Sequence, residues 1–224
     1  MTGTVPGEPP RAMAARAERR WPMAVAVLAA VTLQVGLPRE GRVTGWWIFP
    51  VLEVALLIVL IATDPGRIDR RIPALRTLTI VLIGVMTVGT IVNLAILVGD
   101  IIDRDSVVTG AILLGRGAAL WVTNVIVFSL WFWVIDRGGP AERAAGSDVP
   151  PSFAFSEDAF TKLLPAGWTP IYPDYLYLSF TNSTAFSPTD TMPIRTWAKM
   201  AMMGEAAISL MTAILVVARA INEF

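Results

Sequence analysis

Glu205 is the side chain in this 224-residue chain whose chemistry most needs a partner. It lies more than two turns inside an apolar run, Thr196 to Ile221, where a carboxylate is costly unless it faces protein or water. Helical spacing sets Met202, Glu205, Ser209, Thr212, Val216 and Arg219 on one face, against Met203, Leu210, Ile214 and Val217 on the other. A carboxylate in line with two hydroxyls can line a cavity and attract a small cation. It can equally hydrogen-bond a neighbouring helix, at roughly 0.6 kcal/mol per contact. Both readings stay open at this stage.

A second polar set precedes that run. Asp174 to Pro193 carries Ser179, Thr181, Asn182 and Thr184 on a helix-forming stretch, then Phe186, Ser187, Pro188, Thr189 and Asp190 in a turn-forming one. Asn182-Ser183-Thr184 matches the glycosylation sequon, but these side chains more plausibly bond within the segment. Glu53, Asn93, Arg116 and Asn124 are the remaining polar residues in or beside apolar runs. Arg116 is expected to snorkel to the interface or to pair with Glu53 or Glu205, and Pro50 to kink its helix beside Glu53.

Cysteine and histidine are both absent, which removes thiol chemistry, imidazole bases and His-ligated metals. There is no Walker loop, no GxGxxG and no Gly-x-Gly-Asp motif, so neither an enzyme activity nor a cofactor or metal is expected. Formal net charge is zero, which gives a nucleic-acid partner no global electrostatic support.

The elements that must position these residues read as membrane helices. The chain is 54% hydrophobic and 16% charged, on the membrane side of globular composition. Apolar runs cover Trp21 to Leu37, Thr44 to Thr63, Leu78 to Gly99, Gly117 to Ile135 and Thr196 to Ile221. All but the first are long enough to cross about 30 Å of hydrocarbon, and the first would need a thinned bilayer or flanking anchors. Trp21, Trp46, Trp47, Trp131, Trp133 and Trp197 sit near run ends, where indole rings prefer the interface. No internal repeat is visible. Between residues 136 and 173 the chain is rich in Gly, Pro and Ser, and its Phe153, Phe155 and Phe160 read as a small amphipathic or strand-like patch.

Arginines at 11, 16, 19 and 20, and four more between Asp64 and Arg76, place the N-terminus and second loop in the cytoplasm. The connection Asp100 to Asp105 holds three aspartates and one arginine, as suits the opposite side. Counting spans then makes the 174–193 segment enter from the cytoplasmic face.

The stretch YLYLSFTNSTAFSPTDTMP resembles the pore loop of potassium-channel pore domains, in which a pore helix runs into T-V-G-Y-G-D, then Pro, then an inner helix. Ser179, Thr184, Asp190 and Pro193 coincide with that pattern. The positions matching Gly-Tyr-Gly are Ser187, Pro188 and Thr189, which cannot supply the usual carbonyl ladder, so potassium selectivity is not expected. Channel loops of this kind also enter from outside. The stretch is also similar to a family of bacterial inner-membrane proteins of unknown function that carries Y-F-S-F-T-I-G-M-T-F-Q-x-S-D before a last helix. Tyr177, Ser179, Phe180, Thr181, Phe186 and Asp190 match it, whereas Ser183, Ala185 and Thr189 depart from it. This second resemblance extends to Gly45-Trp46 and the Arg-rich second loop, and implies an architecture without an activity.

The expectation is therefore an all-α polytopic protein of the bacterial inner membrane. It has a basic tail (1–20), a four-span bundle (21–135), a surface connection (136–173), a re-entrant helix and loop (174–193) and a last inner-type helix (194–224). Its first functional reading is small-cation permeation or binding near Asp190 and Glu205, in a lipid bilayer and as a homo-oligomer. Its second is a non-conducting scaffold or accessory subunit whose loop is a packing device.

Overall fold

The computed structural model describes residues 17–36, 45, 47–68, 71–102, 109–160, 163, 168–185 and 190–221. The protein is all-α, with four two-residue strand segments as its only sheet among these residues. Helices α1 (Trp21–Gly36) and α2 (Ile48–Thr63) are short and apolar. Helices α3 (Pro73–Ile102), α4 (Gly110–Ile135) and α8 (Thr196–Ile221) contain the three segments long and apolar enough to cross a membrane. Between the last two come α5 (Pro140–Ala144), α6 (Ser156–Ala159) and the fourteen-residue α7 (Tyr172–Ala185), about 21 Å long.

Local chemistry explains the boundaries. Pro50 falls in the first turn of α2, where its missing N–H would have had no intrahelical acceptor, so it starts this helix and does not kink it. Pro73 and Pro173 open α3 and α7 in the same way. Asp174 accepts from the Ile171 amide at 2.7 Å and places a carboxylate at the positive end of α7. After α4 the chain turns through Arg137, Gly138 and Gly139, all with positive φ. A side chain at 139 would put its Cβ 2.8 Å from the Val134 carbonyl oxygen, so that position requires glycine.

α4 is the central helix. Two thirds of its apolar window is buried, twice the share in α3 or α8. α1, α3, α7 and α8 all pack against it, with α2 outside α1 and α3. The tightest approach is between α4 and α8, where a Cβ on Gly117 would lie 2.3 Å from a Val216 methyl. One end of the bundle is tied by two short antiparallel pairs. β1 (Glu18–Arg19) pairs with β2 (Arg67–Ile68), and β3 (Phe153–Ala154) with β4 (Met192–Pro193). The second pairing returns the chain, after α7, to the level it left before α7. The phenylalanine patch thus splits: Phe153 and Phe155 are buried beneath this end, and Phe160 is exposed.

Polarity is inverted relative to a water-soluble domain. Val81, Val88 and Ile91 of α3, and Met203, Leu210, Ile214 and Val217 of α8, are exposed, while Asn124, Ser129, Ser179, Glu205 and Ser209 are buried. Apolar surface outside and hydrogen-bonded polar groups between helices is how helices pack in lipid.

Candidate functional site: a carboxylate hub between three helices

The apolar period of α8 is exposed and leaves Glu205, Ser209 and Thr212 pointing inward, where all three are buried. α7 meets this stripe with its own polar face. Ser179, Asn182 and Ser183 are spaced three and four apart, so one side of the helix presents two hydroxyls and an amide. Asn182 Nδ2 donates to one Glu205 oxygen at 2.8 Å, Ser183 Oγ donates to the other at 3.0 Å, and Ser179 Oγ lies in hydrogen-bond contact with that second oxygen. The same groups reach the backbone: Asn182 the Met202 carbonyl at 3.0 Å, and Ser179 the Val125 carbonyl at 2.7 Å. From α4, Asn124 Nδ2 donates to the Glu205 carbonyl at 3.2 Å and to Ser209 Oγ at 3.0 Å. The Glu205 carboxylate therefore joins α8 to α7 through neutral donors, and Asn124 ties the same turn of α8 to α4, with no cation in the hub among the described residues. Its Asn124 arm leaves one loose end, since Asn124 Oδ1 is buried without a donor.

The remaining sequence candidates do not converge here. Thr181 and Thr184 bond carbonyls of their own helix, as does Thr212, which bonds Ile208. Phe186, Ser187, Pro188 and Thr189 lie outside the described residues, and Asp190 beyond them is exposed. Asn93 donates to the Gly89 carbonyl of α3 at 2.8 Å. Glu53 does not pair with Arg116. It is buried between α1 and α2 and accepts from Gln34 at 3.1 and 3.3 Å. Nor does Arg116 pair with Glu205: α4 begins at Gly110, which carries Arg116 inside the helix to a 2.7 Å ion pair with Asp100 near the end of α3. Trp131 and Trp133 also differ from the expectation. They turn inward, to Thr87 Oγ1 and to Glu18, whereas Trp21 and Trp47 are exposed.

A second buried carboxylate was not singled out in the sequence. Glu18, in β1, accepts from Trp133 Nε1 at 2.9 Å and from the Tyr172 amide, with Arg143 Nη2 at 3.5 Å. Burial pushes its carboxyl above the ordinary value, and Arg143 with the two donors pulls it part of the way back. Arg143 also caps the carbonyls of Trp133 and Asp136 at 2.9 Å and lies over the Tyr175 ring. Asp136 in turn accepts from Tyr175 Oη at 2.7 Å. Nothing in the spacing around Glu18 signals these contacts, because its partners lie more than a hundred residues away. Ser183 and Gln34 were legible in principle. Ser183 is one turn from Ser179, and Gln34 is the one amide of an apolar helix.

Comparison with protein-family models, with curated proteins and with solved structures returned no match.

Proposed function

We propose that this is a five-span membrane protein in which α7 is a re-entrant helix, and that it acts as a non-conducting scaffold or accessory subunit. In this reading α1, α2, α3, α4 and α8 cross the bilayer, and α7 with the loop after it dips in and returns. What supports the re-entrant path is the pairing of β3 with β4, which brackets α7 at one end of the bundle. That end carries Arg67, Arg71, Arg76, Arg137 and Arg143, and we assign it to the cytoplasm.

The observation that carries the packing role is the closure of the hub. Ser179, Asn182, Ser183 and Glu205 are buried, and their polar atoms are directed at one another. A helix that enters a membrane and returns must be held by surrounding protein, and this hub would hold α7. The resemblance to the inner-membrane family with the Y-F-S-F-T motif falls on the same helix, with Ser179 in the hub and Tyr177 and Phe180 exposed.

A second reading, small-cation permeation or binding in a homo-oligomer, is favoured by the free Oδ1 of Asn124, which a small cation could satisfy, together with the exposed carboxylate of Asp190. Purified protein in potassium-loaded liposomes separates the two. The packing reading expects cation flux no greater than in protein-free liposomes. Flux that disappears in Asp190→Asn would overturn it in favour of the second reading.

A further inference from the structure

At the arginine-rich end, a cavity of about 180 Å³ opens between the start of α3, the end of α4 and α5. Three arginines, Arg20, Arg71 and Arg76, line it against a single acid, Glu142. Arg20 is 95% buried, and its charge is only partly answered. Nη2 meets Asp64 at 2.7 Å, while Nε is buried and has no acceptor. Arg20 therefore adds positive charge to the wall without offering a free edge, and an oxyanion would be gripped by Arg71 and Arg76, whose planar forks favour arginine in phosphate sites. Arg71 is exposed and only loosely held, with Nη2 3.2 Å from Glu142. Arg76 is also exposed, and no ion pair holds it among the described residues. Pro73, the first residue of α3, is on the wall, so the positive end of a thirty-residue helix faces the same space.

The remaining wall is apolar, built from Ile68, Ile72, Leu75 and Val134, with Ile72 exposed. A ligand that fits is therefore charged at one end and greasy at the other. We propose that this cavity binds the phosphate headgroup of an anionic phospholipid, whose apolar part leaves past the exposed Ile72. The proposal rests on the membrane reading above, with the arginine-rich end at the anionic leaflet surface.

The test uses the full chain in detergent, titrated with short-chain phosphatidylglycerol, phosphatidylcholine or inorganic phosphate, with binding followed by the thermal unfolding midpoint. Phosphatidylglycerol should raise the midpoint at concentrations where phosphatidylcholine does not. The double variant Arg71→Gln/Arg76→Gln changes two exposed side chains and should weaken the apparent affinity for phosphatidylglycerol by about tenfold. Glu142→Gln removes the competing acid and should strengthen it. Equal responses to the two lipids would overturn the proposal, as would an undiminished phosphatidylglycerol response in the double variant. Inorganic phosphate giving the full effect alone would overturn the lipid assignment in favour of a free-phosphate site. Flotation of the protein with phosphatidylcholine vesicles tests the membrane reading separately: loss of flotation defeats that reading, whereas flotation without a phosphatidylglycerol effect defeats only the headgroup site.

Discussion

Two of the buried carboxylates in this bundle, Glu205 and Glu18, are satisfied in opposite ways. Glu205, between α4, α7 and α8, is met by two hydroxyls and an amide. Glu18, at the arginine-rich end, is met by the Arg143 guanidinium, an indole N–H and a backbone amide. A buried ion pair must recover the desolvation of two charges, so it suits a rim where water and further dipoles lie close. Deeper between the helices, neutral donors satisfy a carboxyl without burying a second charge. Two glutamates thus hold α7, Glu18 at its first turn through the amide of Tyr172 and Glu205 near its far end through Ser183.

Removing one partner from each centre should separate them. Arg143→Ala leaves Glu18 without its cation and frees two carbonyls, so it should be the most damaging change, costing about 3–5 kcal/mol in reversible unfolding. The Glu18 centre should also impose a pH dependence. Its carboxyl is raised above 4.5 in the folded protein, chiefly by burial, so its contribution to stability is full below 4.5 and is lost as pH rises through the folded value. The stability of wild type relative to Glu18→Gln should therefore decline over that window. A difference that stays level with pH would remove Glu18 from the account.

Glu205→Ala should cost about 2–3 kcal/mol, because it strands the Ser183 hydroxyl and one Asn182 N–H, while Ser179 keeps the Val125 carbonyl. Gly117→Ala, where the new Cβ would sit 2.3 Å from a Val216 methyl, should cost about 1–3 kcal/mol by overpacking. Adding Val216→Ala should restore most of that loss, and failure to do so would mean that α4 and α8 are not in register there. The smallest effect is expected from Glu205→Gln, within about 1 kcal/mol of wild type, since an amide oxygen still accepts and the serine hydroxyls can rotate. A large destabilisation by glutamine would make charge the essential property of the hub and undo the contrast with Glu18.

What the sequence revealed follows from the range of the interactions. Helix faces are local, so the Glu205, Ser209 and Thr212 stripe and its apolar opposite were readable from spacing alone. The apolar runs likewise gave the helices, although α2 starts four residues later and α3 and α4 five and seven residues earlier than the runs do. Partner choice is not local. Asp100 is one of three aspartates in a row of six residues, and only the packing of α3 on α4 selects it for Arg116. Glu18 stands in a tail that reads as basic, and its partners are 115 and 125 residues away, at Trp133 and Arg143. Trp133 illustrates the same limit: preference for an interface predicts a depth, and Glu18 decides the direction.

The claim that Glu205 fastens α7 to the bundle is tested most directly by a double-mutant cycle between Asn182→Ala and Glu205→Ala, read as reversible unfolding in detergent. The two side chains meet at 2.8 Å across α7 and α8, so their effects should be non-additive, with a coupling of about 0.5–2 kcal/mol. Additive effects, within about 0.3 kcal/mol, would show that the carboxyl and the α7 amide do not act together, and would contradict the hub.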